Sequence, residues 1–304
     1  MRDAFIRKLT YLAEKDTKIM LLTGDLGFGV LQNFAQNFPN QFINCGVSEQ
    51  NMTTVACGLA LEGFNVYTYS IANFNSLRCV EQIRNDICYH DANVTIVSVG
   101  SGFSYGQLGM SHFATEDISI MRSIPNLKIF SPSDDWETEI LTQKIYEING
   151  PKYLRLDKSN AGLPKKTEIQ KIGKAKTVIN GNDFTIMVVG GIAKEALIAV
   201  EELKKIGINC RLVIFNCIKP LDKPAIINAT QETKGILTLE EHNITGGFGS
   251  AIAEVFSGES IFPKFFKSLG VQDEIISMVG TQTFLREKNK LTARYIRDIV
   301  KNII

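Results

Sequence analysis

What the 304-residue sequence lacks narrows its function before any motif is read. It has no charge of one sign in excess: 33 Lys and Arg face 32 Asp and Glu, interleaved along the chain. No basic or acidic surface is therefore expected to recruit nucleic acid or a membrane. No apolar run approaches the roughly 20 residues of a membrane span. The opening MRDAFIRKLTYLAEKD has the spacing of an amphipathic helix and lacks the apolar centre of a signal peptide. The chain is expected to work in the cytoplasm. The six cysteines (Cys45, Cys57, Cys79, Cys88, Cys210 and Cys217) include no CxxC pair. Their irregular spacing fits neither zinc nor a disulfide framework, which leaves reduced, mostly buried thiols. Low complexity and short-period repeats are also missing. GGFGSA at 246–251 lacks the GxGxxG spacing of a dinucleotide loop and reads as the start of a helix.

What is present is alternation. KIMLLTG, QFINC, NVYTYS, NVTIVSVG and LKIFSP are strand-like, and the segments between them carry apolar residues at three- and four-residue spacing. This is βαβ grammar, which predicts an α/β fold of doubly wound, mainly parallel sheets covered on both faces. The pattern pauses at SNAGLPKKTEIQKIGKAK, residues 159–176, a polar and basic linker. It resumes with FTIMVVGG, CRLVIFN and GILTLEE as strands and KEALIAVEELKKIG and SAIAEVF as helices. Two domains are expected, 1–163 and 164–304.

One stretch calls for a chemical explanation. In NCGVSEQNMTTVACGLALEG, residues 44–63, a strand-to-helix turn ends at Gly46 and Val47, Ser48 is placed to cap the helix, and Val55, Leu59 and Leu61 form its apolar stripe. Glu49 then falls in the first turn, where a carboxylate complements the helix dipole. The carboxyl end of a strand leading into a helix is also where open α/β sheets place ligands.

GVSEQNMTTVACGLALEG resembles the Gly-(Val/Ile)-x-Glu-(His/Gln) element and small-residue helix of the pyrimidine-binding domain of transketolases and related thiamine diphosphate enzymes. Four further elements follow the family in order: TGDLGFG at 23–29, ANFNSLRCVEQIRND at 72–86, SHFATEDISIMRSIPNLKIFSPSD at 111–134 and YLRLDKSN at 153–160. The second region, with VVGGIAKEALIAVEELKKIGINCRLVIFNCIKPLD and LEEHNITGGFGSAIAEVF, is similar to the family's carboxy-terminal domain. The resemblance implies that Glu49 hydrogen-bonds N1′ of the cofactor's aminopyrimidine and promotes the imino tautomer that removes the thiazolium C2 proton. The dipole favours its ionised form and burial the neutral one. Gln50 stands where transketolases often have His.

Other roles follow from the same resemblance, each beside a plainer reading. Phe74 matches the ring-stacking position, and a Phe at such a connection also suits a core. Asp25 stands near the cofactor at the family's domain interface or simply caps the turn after its strand. His112, in the Gly-rich loop GQLGMSH, matches a residue that contacts a ketose hydroxyl. Arg155 matches an arginine that grips a sugar phosphate, or forms a structural ion pair. Arg2 joins that cluster, or is solvated near the terminus.

Two family elements are missing. The Gly-Asp-Gly…Asn motif that binds the Mg2+ and through it the diphosphate is absent, and GDLG at 24–27 is not a substitute. The chain thus resembles the carboxy-terminal subunit of a split transketolase, whose amino-terminal subunit holds the metal and diphosphate in an α2β2 heterotetramer, with sugars or sugar phosphates as substrates. In VGSGFSYGQLGMSH the family's usual His near Gly100 and Asp near Leu108 are also missing, which implies an acceptor other than the common pentose-pathway aldoses. A β subunit of a 2-oxo acid dehydrogenase is the strongest rival, but its His-Ser-Gln loop is replaced here by SHFATED. A 1-deoxyxylulose-5-phosphate synthase-like fragment and a non-catalytic scaffold subunit are the remaining rivals, and the retained Glu49 argues against the scaffold.

Overall fold

The computed structural model describes residues 1–165 and 171–304; the middle of the expected linker, residues 166–170, lies outside the described residues. Two sheets organise the chain. The first contains β1 (Ile19–Thr23), β2 (Phe42–Asn44), β3 (Asn65–Ile71), β4 (Val94–Val99), β5 (Lys128–Phe130) and β6 (Lys152–Leu156). The second contains β7 (Lys176–Ile179), β8 (Phe184–Val189), β9 (Cys210–Phe215), β11 (Ile236–Asn243) and β12 (Phe266–Val271). β10 (Cys217–Lys219) leaves its own half and pairs antiparallel with β5, so the first sheet has the order β10-β5-β6-β4-β3-β1-β2 and the second β12-β11-β8-β9-β7. β7 is antiparallel to β9; the remaining pairings are parallel. Sequence runs predicted as strands are strands here, whereas β7, β10 and β12, short or sparsely apolar, carry too weak an alternation to stand out.

Strand alternation distributes the core into three layers. On one face of the first sheet, Ile19, Leu21, Tyr67, Val97, Leu154 and Leu156 pack against Phe5, Leu9, Phe34 and Leu141. The opposite face, with Leu22, Val66, Ile96, Ile129 and Tyr153, shares one cluster with Met187, Val189, Val213 and Phe215 of the second sheet. The far face of the second sheet, Ile186, Val188, Leu212 and Ile214, packs on the helix Ala193–Lys205. Every residue of β1 and β4 is buried, as expected for parallel strands covered on both sides. Among the described residues no helix is long and apolar enough to cross a membrane, and the six cysteines are unpaired, five of them buried.

Candidate functional site

The parallel strands of the first sheet deliver their connections to one edge. β1 leads into Gly24 and Asp25, β2 into Cys45 and Gly46, β3 into the helix Ala72–Ser76, β4 into Gly100 and β6 into Asp157 and Lys158. Gly46 adopts φ +71°, a left-handed conformation that glycine reaches without strain, and this lets β2 turn directly into the helix Glu49–Leu61. Ser48 occupies the cap position, but its hydroxyl donates back to Cys45 O at 2.7 Å and makes no cap to the helix, contrary to expectation. The buried stripe of that helix is Met52, Thr53, Ala56 and Cys57, while Leu61 is exposed.

Glu49 is 4% exposed. Its Cγ and Oε1 lie 3.5 Å from where a side chain on Gly24 would begin, and Oε2 accepts Arg78 Nη1 at 3.2 Å. The Arg78 guanidinium lies 3.9 Å from the centroid of the Phe74 ring, and that ring meets His112 edge-on, centroids 5.1 Å apart at 62°. Tyr105 lies beyond, 6.4 Å from His112. Glu49, Phe74 and His112 thus stand in one line of contacts, joined by an arginine that sequence reading passed over. The signal was available: Arg78 follows Phe74 by four residues through helical backbone, the spacing at which side chains meet. Burial, with the Arg78 charge adding to it, lowers the His112 pKa below its usual value.

The remaining candidates lie apart. Asp25, at φ +58°, is exposed and caps its turn with Asn44: its N–H donates to Asn44 Oδ1 and its Oδ1 accepts Asn44 Nδ2, both at 3.0 Å. Arg2 donates to Asp3 and lines a cavity of about 220 Å3 with Leu26, Phe28, Tyr69 and Tyr105. Arg155 departs from the expected substrate contact. It is 2% exposed, and its donors are taken by Asp117 Oδ2 (2.8 Å), Ala114 O (2.9 Å) and Glu241 O (3.1 Å). The physical reason is alternation: Leu154 and Leu156 face one side of the sheet, so Arg155 faces the layer shared by both sheets. There Tyr153 Oη donates to the same Asp117 oxygen at 2.8 Å. Lys158 is exposed at this edge, its Nζ 3.9 Å from the Tyr105 centroid. It lines a cavity of about 430 Å3 with Ser104–Leu108 and Gly280–Gln282.

Gly100 explains one sequence anomaly. It has φ +95°, and a Cβ built there would lie 2.1 Å from the Tyr105 ring. Tyr105 fills the space in which a histidine at that position would begin. Leu108 is half exposed on the rim of the larger cavity.

The fit of the site to an aminopyrimidine rests on one observation. A planar, nitrogen-bearing group, the Arg78 guanidinium, already lies over the Phe74 face while donating an N–H to Glu49. A flat heterocycle with a protonated ring nitrogen would make these same two contacts, and the half-exposed Arg78 side chain has solvent to move into. Glu49 and Phe74 therefore fit the ring.

Two outcomes are expected. Arg155→Ala should lower stability by about 3–5 kcal/mol in thermal or denaturant unfolding, because it strands Asp117 as a buried, uncompensated charge; a change under 1 kcal/mol contradicts the buried pair. His112 should titrate below 6.5 by NMR, and Arg78→Ala should move its midpoint upward by removing a like charge. An unmoved midpoint contradicts the contact.

With this geometry in place, comparison with known proteins is direct. Residues 1–164 match the family model of the transketolase pyrimidine binding domain, and residues 173–296 that of the transketolase C-terminal domain. A 6-deoxy-6-sulfo-D-fructose transketolase subunit from a Clostridium species is 34% identical, covering 97% of this chain and 92% of the relative. An apulose-4-phosphate transketolase subunit from Phocaeicola vulgatus is also 34% identical, covering 90% and 88%. Among solved structures, a split gene transketolase described as an inactive beta4 tetramer superposes with a TM-score of 0.87 at 34% identity, covering 99% of this chain and 97% of that one. Transketolases depend on thiamine diphosphate, and this chain belongs to their family, with the pyrimidine-binding and C-terminal domains of a split-gene subunit.

Proposed function

We propose that the chain is the base-bearing half of a two-subunit enzyme that transfers a two-carbon ketol unit from a ketose to an aldose. The observation that carries this reading is the line Glu49–Arg78–Phe74–His112 along the carboxyl edge of the sheet. Thiamine diphosphate, when bound, supplies the carbon nucleophile for cleaving and forming the carbon–carbon bond. Glu49 would hold and exchange a proton with a ring nitrogen of the bound cofactor, in place of its contact with Arg78, and Phe74 would offer the ring an apolar surface. His112, neutral at physiological pH because its pKa is lowered, can hydrogen-bond a donor hydroxyl.

The anionic end of the sugar is assigned to Lys158 and Arg2, which border cavities on either side of Tyr105. Both named relatives take sugars with an anionic terminus, a sulfonate in one and a phosphate in the other, which supports a cationic subsite here. Tyr105 in the space next to Gly100, and Leu108 on the rim, favour an acceptor outside the common aldoses.

Among the described residues no group of three or more His, Cys, Asp or Glu could hold a metal ion. We assign the Mg2+ and diphosphate to an amino-terminal partner subunit, with two copies of each subunit in an α2β2 complex in the cytoplasm. The solved relative's inactive beta4 tetramer fits a chain that self-associates yet needs its other half.

The test is Glu49→Gln in the reconstituted complex. It should slow hydrogen–deuterium exchange at the cofactor's C2 by on the order of 10²–10⁴-fold; a wild-type rate would remove Glu49 from this role. Lys158→Ala should weaken binding of anionic donors by about 1.5–3 kcal/mol, read as KM, with little effect on uncharged ones. Equal losses for both classes would count against the subsite.

A further inference from the structure

The loop that carries Tyr105 and His112 is closed at its base and held from outside. Its ends form a bridge: Gly102 N–H donates to Ala114 O at 3.0 Å, and Ala114 N–H to Gly102 O at 3.1 Å. The outside support comes from the second half of the chain. Glu241, near the end of β11, is buried, and its Oε1 accepts Phe103 N–H at 2.6 Å and Gln282 Nε2 at 2.9 Å. Its Oε2 accepts Arg286 Nε. Gln282 also donates to Asp157 Oδ1 at 3.1 Å, and Arg286 to Ser159 Oγ at 3.1 Å, so the same two side chains grip the segment after β6. A second backbone tie runs from Gly280 N–H to Gly106 O at 3.1 Å.

Two glycines make this approach possible. A Cβ on Gly102, which has φ +55°, would lie 2.5 Å from Glu241 Oε1. One on Gly106 would lie 2.5 Å from Gly280 O. A side chain at either place would push the loop off the second domain.

We infer that Glu241 is a positioning residue: with Gln282 and Arg286 it acts through Phe103 to fix the loop Gly102–Ala114, so that the second domain sets where Tyr105 and His112 stand. The inference rests on the reading that this loop meets the sugar. A carboxylate suits the task because one oxygen serves the loop amide and Gln282 while the other neutralises a buried guanidinium. Loss of the clamp should loosen substrate contacts and leave Glu49, which makes none of the clamp's hydrogen bonds, able to exchange its proton.

The experiment uses the assembled two-subunit complex carrying Glu241→Gln or Gln282→Leu. Amide hydrogen exchange of residues 103–113 should quicken by roughly tenfold or more, while β1, β3 and β4 keep wild-type protection. The KM for a ketose donor should rise by about an order of magnitude, as expected when contact groups are displaced, with C2 exchange at the cofactor within about twofold of wild type. Wild-type loop exchange and KM in both variants would overturn the inference, as would faster exchange spread evenly over the chain. If Glu241→Gln fails to fold, Gln282→Leu, at the half-buried rim, decides. Lack of activity with every ketose would sink the proposed reaction, yet the loop exchange would still decide the clamp.

Discussion

A carboxylate held at 4% exposure must be compensated, and the site is arranged around how Glu49 meets that requirement. The first turn of its helix supplies a favourable dipole, and Arg78 supplies the countercharge. Because that guanidinium also lies over the Phe74 ring, the ion pair fixes where the aromatic surface stands relative to the carboxylate. His112 meets the same ring edge-on, and burial together with the nearby cation lowers its pKa. A group that replaces Arg78 over Phe74 finds a hydrogen-bond acceptor and a stacking face already placed. It also lifts a like charge away from His112.

Behind this edge, the layer between the two sheets carries charge as well as hydrocarbon. Asp117 receives Arg155 and Tyr153 from β6, and Arg155 reaches across to the β11 backbone at Glu241. His242 accepts the N–H groups of Ile118 and Ser119 through Nε2, at 3.1 and 3.3 Å. Burial pushes its pKa down to about 4, so the ring stays neutral and fits an acceptor role. Such groups tie a helix of the first sheet to a strand of the second at defined atoms, which apolar packing alone does not do. The price is stability that depends on every partner being present.

The fold was legible where the apolar or β-branched signal is strong: β1, β8 and β9 are nearly continuous apolar runs, as buried parallel strands require, and β3 and β4 intersperse Thr and Ser among Val, Ile and Tyr. Glu49, Phe74 and His112 were singled out by the family resemblance of their motifs, and the fold brings the three into one line of contacts. Arg155 misled because a strand's two faces cannot be assigned from sequence when both are buried; the next sheet, a long-range feature, decided it. Lys158, two residues past the end of β6, is free of that alternation and reaches the edge. Arg78 stood inside a recognised segment, but its value depends on Glu49, 29 residues earlier, and only the fold brings them together. Tyr105 in the space beside Gly100 is of the same kind: the absence was visible, the side chain that fills it was not.

In the proposed division of labour this chain carries the ring-binding half of a cofactor site, and its partner the half that neutralises the diphosphate. Calorimetric titration of thiamine diphosphate, with Mg2+, into the purified chain and into the chain assembled with its amino-terminal partner tests it most directly. Weak binding to the lone chain and tight, stoichiometric, Mg2+-dependent binding to the assembly are predicted; tight stoichiometric binding by the chain alone would contradict it.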